Sequence, residues 1–306
     1  MKTDLKLKSE YDGMKLSAVV VEPDRQKPEA VIQIAHGLCG CKDRYMSFME
    51  YMADHGVACV ACDHRGHGKS VRSKDDLGYM DGGYKALVED MKQVTDWAAR
   101  HFEDVPIVLL GHSMGSMAAR IYAQKYDWEL SGMILCGSPG YWPLARPAML
   151  VTGFLCMFND GRMKPLYLQQ YASSRFNRKF SDEGQLAWVC SDADVRMAML
   201  SNPMTNFPIS VNMMHNLLGM MVRTHSHRGW KVTNPELPVA FLSGEDDAVM
   251  GSEKKLHDAA KVMAGLGYSN VSAAIFSEMR HEILNEVDKE LVWNDILNFI
   301  RNISSK

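Results

Sequence analysis

The sequence predicts an α/β protein built on a doubly wound, mostly parallel sheet, with one helical insert. Three observations carry this. Strand-type and helix-type segments alternate over residues 30–136 and again over 239–303. The runs 30–35, 57–62, 106–110 and 132–136 are apolar almost throughout, as strands buried on both faces of a parallel sheet are. Between 141 and 235 the alternation breaks into an irregular stretch with short helical patterns.

Taken in order, Leu5-x-Leu7 and Leu16-x-Ala18-x-Val20 alternate as strands about an Asp12-Gly13 hairpin turn. Ala30-Val31-Ile32-Gln33-Ile34-Ala35 is a buried-type strand that ends in His36-Gly37-Leu38-Cys39-Gly40. Tyr45, Phe48, Met49 and Met52 have helical spacing within 44–55, and Gly56 stops that helix. The strand at 57–62 ends at Asp63-His64-Arg65-Gly66-His67-Gly68-Lys69-Ser70. Residues 83–102 predict a helix with Leu87, Met91, Val94, Trp97 and Ala98 on one face. The strand 106–110 then runs into Gly111-His112-Ser113-Met114-Gly115, and a small-residue helix leaves. A strand at 132–136 ends in Gly137-Ser138-Pro139-Gly140. After the insert come a strand at 239–244, a helix at 253–266, a strand at 271–276 and an amphipathic helix at 288–303. The expected organisation is a core of residues 1–140 and 236–306 with a cap of 141–235 inserted in it.

Composition bounds the function. At 306 residues, with 46% hydrophobic and 23% charged residues, the chain has the profile of a soluble globular protein. A net charge of −3 argues against nucleic acid as the main partner. No apolar stretch opens the chain, so neither a signal peptide nor a membrane span is expected, and the cytoplasm is the default location. Seven scattered cysteines make poor material for a disulfide framework and suit a reducing compartment. Cys59 and Cys62 lie three apart in one buried strand and should point to opposite faces, which is core packing rather than a metal or redox pair. His64 and His67 have no convincing third ligand. No metal and no cofactor are expected.

The chemistry centres on Gly111-x-Ser113-x-Gly115 in its strand-turn-helix context, the pattern of a nucleophile elbow. A serine hydroxyl is a poor nucleophile unless exposed and held beside a base. A sharp turn lifts it above the sheet edge, and the two glycines leave room for the crowded backbone. The helix N-terminus behind it offers free N–H groups to an oxyanion. A base and an orienting acid must come from elsewhere. The strand at 239–244 is followed by Glu245-Asp246-Asp247, and the strand at 271–276 by Ser277-Glu278-Met279-Arg280-His281, both at the sheet edge the elbow leaves. His281 is therefore the expected base. Asp246 and Asp247 both qualify as the acid, and Asp247 is favoured because the acid must clear the sheet edge beyond Gly244 before it turns toward the histidine. One oxyanion donor should be the Met114 N–H, and the other should come from the loop after an earlier strand, where Leu38 is the candidate. His36 is expected to brace that loop.

These residues together resemble an α/β-hydrolase of the monoacylglycerol lipase and lysophospholipase group, also called serine aminopeptidase-like hydrolases. The resemblance rests on His36-Gly37, the 63–70 segment, Gly111-His112-Ser113-Met114-Gly115, Ser243-Gly244-Glu245-Asp246-Asp247, and Arg280-His281-Glu282-Ile283-Leu284-Asn285-Glu286, and it spans nearly the whole chain. It implies Ser113, Asp247 and His281 as the catalytic triad, and Leu38 and Met114 as oxyanion donors. It also implies that 141–235 is a cap domain, whose Trp188-Val189-Cys190-Ser191-Asp192 and Asn202-Pro203 resemble the group's cap sequences. Ala248 departs from the group, which often has Pro there; only loop stiffness should change.

The expected activity is hydrolysis of acyl esters such as monoacylglycerols or lysophospholipids. A peptidase or amidase on the same triad, and a non-catalytic ligand-binding protein on the same fold, are the alternatives. Ten of the 23 methionines fall in 141–235, and methionine adapts to apolar shapes such as an acyl chain. The same stretch carries ten Lys/Arg against five Asp/Glu, which suits an anionic headgroup or peripheral contact with a lipid surface.

Overall fold

The computed structural model describes residues 1–24 and 26–304. Eight strands form one sheet in the order β1 (Lys2–Lys8), β2 (Lys15–Val21), β4 (Val57–Cys62), β3 (Ala30–Ala35), β5 (Ile107–His112), β6 (Gly132–Cys136), β7 (Val239–Gly244), β8 (Val271–Phe276). The pairs β1–β2 and β2–β4 are antiparallel, and every other neighbouring pair is parallel. The helices are α1 (Met46–Asp54), α2 (Gly83–His101), α3 (Met114–Tyr126), α4 (Ala145–Cys156), α5 (Leu166–Phe176), α6 (Ala193–Ser201), α7 (Val211–Thr224), α8 (Glu253–Leu266) and α9 (Lys289–Ser304). β5 runs two residues beyond the expected end. Gly111 still pairs with Ala35 and Leu135, and His112 with Cys136, so the ladder continues to the residue before Ser113.

Strand alternation splits the core into two layers. Val31, Val60, Leu109, Leu135 and Phe241 face α2, α3, α7 and α8. Ile32, Cys59, Leu110, Ile134 and Leu242 face α1 and α9. Cys59 and Cys62 accordingly sit on opposite faces. Gln33 interrupts the apolar run of β3, and both ends of its amide are hydrogen-bonded. Its Nε2 donates to the Met91 carbonyl at 2.8 Å, and its Oε1 accepts from Thr95 Oγ1 at 2.7 Å, both on α2. A buried amide so paired ties sheet to helix instead of destabilising the strand.

The stretch between β6 and β7 carries α4 to α7. Its last helix belongs to the main core: Met213 and Met220 of α7 are 0% exposed there, with Phe207 and Ile209 buried beside them. Ser210 caps α7 by accepting from the Met213 N–H at 3.1 Å, and its hydroxyl donates to the Gly78 carbonyl at 2.8 Å. Asn212 and Asn216 accept from the backbone N–H groups of Met80 and Tyr84 at 3.0 and 2.9 Å. A small separate cluster holds Val189, Cys190 and Met199. The methionines thus divide. Some fill the core, while Met157, Met163 and Met197 lie exposed.

Met213→Ala is expected to cost about 2–4 kcal/mol, the range for truncating a buried methionine, while Met157→Ala is near neutral; chemical denaturation measures both. A Met213 variant of unchanged stability but altered long-chain KM would reassign that side chain from core to acyl pocket.

Candidate active site

The Ser113 position is built by close approach. A Cβ on Gly115 would lie 1.9 Å from the Ala35 carbonyl oxygen, and one on Gly111 would lie 2.5 Å from the Gly115 oxygen. Only glycine lets the start of α3 press against the ends of β3 and β5. Ser113 sits between these contacts at φ 54°, ψ −115°. Its N–H donates to the Cys136 carbonyl at 2.9 Å, and its carbonyl accepts from the N–H groups of Ser116 and Met117 at 2.9 and 3.3 Å.

The Ser113 hydroxyl meets His281 Nε2 at 2.9 Å. His281 Nδ1 lies 2.9 and 3.0 Å from the two carboxylate oxygens of Asp247. Both are buried, at 4% and 3% exposure. Asp247 Oδ1 also accepts from the Val249 and Met250 N–H groups at 2.8 and 3.1 Å, and Oδ2 accepts from Ser243 Oγ at 3.0 Å. Burial would raise the Asp247 pKa, but the His281 charge, its hydrogen bond and these backbone donors outweigh it and hold the carboxyl below its ordinary range. Burial would lower the His281 pKa, and Asp247 outweighs it in the opposite direction, above the ordinary histidine value. Asp246, one residue earlier, turns outward to an ion pair with Lys179.

The loop carrying Leu38 lies against this line. A Cβ on Gly37 would come 3.2 Å from the Ser113 Cβ. The Leu38 N–H makes no backbone hydrogen bond among the described residues, and the Met114 N–H stands in the first turn of α3, where helix N–H groups lack intrahelical partners. His36 braces the loop: its Nδ1–H donates to the Gly37 carbonyl at 2.8 Å, and its Nε2 accepts from the His64 N–H at 2.9 Å. His64 and His67 pack against it, with ring centroids 4.2 and 5.1 Å away. Burial pushes His36 down to about 4 and His67 to about 3, so both are neutral braces. Asp63 anchors the other end of the loop, accepting from the Lys42 and Lys69 N–H groups at 2.8 and 2.9 Å and pairing with Lys42 Nζ at 3.2 Å. Among the described residues, no group of three or more His, Cys, Asp or Glu gathers as a metal site.

Spacing alone gave no role to several residues here. His112 Nε2 lies 3.2 Å from the His281 carbonyl and can donate to it. Glu282, next to His281, takes both arms of Arg44. Arg280 donates to the Ala187 carbonyl at 2.6 Å and to Glu183 at 2.7 Å, and lies 3.8 Å over the Phe180 ring. Glu286 accepts from the Arg280 and Ser191 N–H groups at 2.8 and 3.1 Å. Trp188 stands 5.5 Å from the His281 ring. The sequence marked Arg280, Glu282, Glu286, His112 and Trp188 only as parts of segments that carry the resemblance, without a role for each.

Residues 26–288 match the family model described as serine aminopeptidase, S33. The chain belongs to this family of α/β-hydrolases. This hydrolase is 26% identical over 290 residues to the monoacylglycerol lipase of Mycolicibacterium smegmatis, covering 94% of this chain and 93% of that one. It is 32% identical to the monoglyceride lipase of Mus musculus over 108 residues, 35% of this chain and 34% of that one. A highly thermostable carboxyl esterase from Bacillus coagulans, solved in complex with glycerol, superposes with a TM-score of 0.90 at 27% identity, covering 99% of both chains.

Removing the acid of such a line costs on the order of ten-thousand-fold in turnover. Asp247→Asn in this hydrolase should therefore cut kcat by thousands, and Asp246→Asn by tenfold or less. Protonated His281 cannot accept a proton, so kcat/KM should fall as pH drops through an apparent pKa above 6.5, the ordinary histidine value from which His281 is raised. Asp247→Asn should move that limb down; an unmoved limb would break the assignment of Asp247 to His281.

Proposed function

We propose that this hydrolase cleaves acyl esters, of the monoacylglycerol or lysophospholipid kind, through an acyl-enzyme on Ser113. The observation that carries this is the hydrogen-bonded line from Ser113 through His281 to Asp247. Ser113 Oγ attacks the ester carbonyl. His281 Nε2 takes its proton and returns it to the leaving alcohol. Asp247 holds the Nδ1–H tautomer and stabilises the imidazolium. The Leu38 and Met114 N–H groups hold the oxyanion. Water then repeats the sequence on the acyl-enzyme, and no cofactor enters.

The insert over 141–235 supports a lipid substrate. Leu150, Phe154 and Met157 on and just beyond α4, Phe158, and Tyr167 and Tyr171 on α5 are each at least 60% exposed. An apolar surface of this kind marks an interaction site. With ten basic residues against five acidic ones in the same stretch, it suits peripheral contact with an anionic lipid surface. The same balance disfavours a peptidase, which needs acidic side chains to grip a substrate amine. The relatives named for monoacylglycerol and monoglyceride hydrolysis agree with the ester reading.

Ser113→Ala should abolish turnover of p-nitrophenyl and glyceryl esters while leaving the thermal transition unchanged. Retained wild-type turnover would overturn the mechanism, and faster cleavage of aminoacyl arylamides than of any ester would overturn the substrate class. Phe154→Glu with Met157→Glu should weaken binding to anionic vesicles and slow long-chain glycerides several-fold, with soluble acetate esters unaffected. Equal slowing of both substrates would remove the lipid-surface role.

A further inference from the structure

The elbow helix carries a charge that the fold leaves unanswered. Arg120 on α3 is 1% exposed, and its Nε, Nη1 and Nη2 all lack a hydrogen-bond partner among the described residues. One helical turn on, Gln124 accepts from Arg223 Nε at 2.7 Å through Oε1, while its Nε2 is a second buried donor without a partner. Trp230 Nε1 is a third. The segment after α7 runs along the same flank of α3. Arg223 meets Gln124, and the N–H groups of Thr233 and Asn234 reach Asp127, at the end of the same helix, at 2.9 and 3.1 Å.

Every unpartnered side-chain atom on this flank is a donor. Asp127 is engaged by Thr233, Asn234 and Tyr268. The Phe241 ring, 6.0 Å from the Arg120 guanidinium, gives weak cation–π contact. Other buried cations in this protein have carboxylates: Lys42 has Asp63, Arg65 has Asp90, and Arg280 has Glu183. Burial draws Arg120 down to about 9 with no carboxylate opposing it, which still leaves it protonated at neutral pH. Burial and the Arg120 charge push neighbouring His225 to about 4, so it is neutral there. Arg120 and Arg223 set against Asp127, with His225 neutral, leave the flank with one net positive charge. A buried charge without a counter-charge is strongly destabilising, and donors in a closed space are met by an acceptor.

We propose that the flank of α3 formed by Arg120 and Gln124 binds one small monovalent anion, with chloride the expected occupant. One charge to be balanced sets the valence. Burial of Arg120 at 1% exposure leaves no path for a ligand with a tail. The anion would join α3 to the 223–233 segment, apart from the ester chemistry at Ser113.

The test measures thermal stability of the full chain as chloride replaces gluconate at fixed pH and ionic strength, together with diffraction from crystals grown in bromide. The melting temperature should rise by about 2 °C per tenfold increase in chloride above its dissociation constant. An anomalous bromide peak should lie within hydrogen-bond distance of Arg120 and Gln124 Nε2. Arg120→Met should lose both effects. Should that variant not fold, Gln124→Leu keeps the charge and should shift the chloride dependence to higher concentration. Equal stability in the two salts overturns the proposal. So does a bromide peak without chloride-dependent stability, which is an adventitious ion only, or a chloride effect that survives Arg120→Met.

Discussion

Ser113 occupies a backbone conformation, φ 54° and ψ −115°, that side-chain-bearing residues rarely adopt. Such a residue costs of order 1–3 kcal/mol and persists only where its surroundings over-determine it. Here they do. The Gly115 backbone presses on the Ala35 carbonyl, Gly111 accepts the returning helix, and the Ser113 N–H is tied to Cys136 on the neighbouring strand. The strain is carried by the sheet itself, because β3, β5 and β6 are the central strands and their side chains are buried on both faces. The hydroxyl is thereby aimed without help from flexible side chains.

The partners of Ser113 come from loops, and loops need their own anchors. The loop with His281 is held from two sides: Glu282 by Arg44 of the 42–45 turn, and Arg280 with Glu286 by the 183–191 segment of the insert. Such contacts are weak when exposed and strong when buried and charge-assisted. Here Arg44 and Glu282 are nearly buried. The same logic governs the Leu38 loop, where Asp63 collects two backbone N–H groups and a buried lysine. Neutral histidines fill the space between, since His36, His64 and His67 are too buried to hold charge.

The insert serves two ends with different residues. α7 is core, its apolar face packed on α2 and α3 and its polar caps tied to the 78–84 backbone. α4 and α5 turn large apolar side chains outward. The methionine excess read from composition therefore has no single cause: Met213 and Met220 satisfy packing, and Met157 and Met163 meet the surroundings.

What the sequence determined by itself is what short-range physics encodes. Periods of two and 3.6 residues mark the strands and helices. A strand-turn-helix with two glycines marks Ser113, and loops just beyond β7 and β8 contain Asp247 and His281. Each of these signals is complete within about a dozen residues, so spacing reveals it. The sequence favoured Asp247 over Asp246 without separating them by any local pattern, and the tertiary structure sets Asp247 against His281 while Asp246 turns to Lys179. Only the tertiary structure joined Arg44 to Glu282 and the 183–191 segment to Arg280, and left Arg120 without a carboxylate. These partners lie tens to hundreds of residues apart and meet only because the strand order brings their loops to one edge, and no local pattern carries that information.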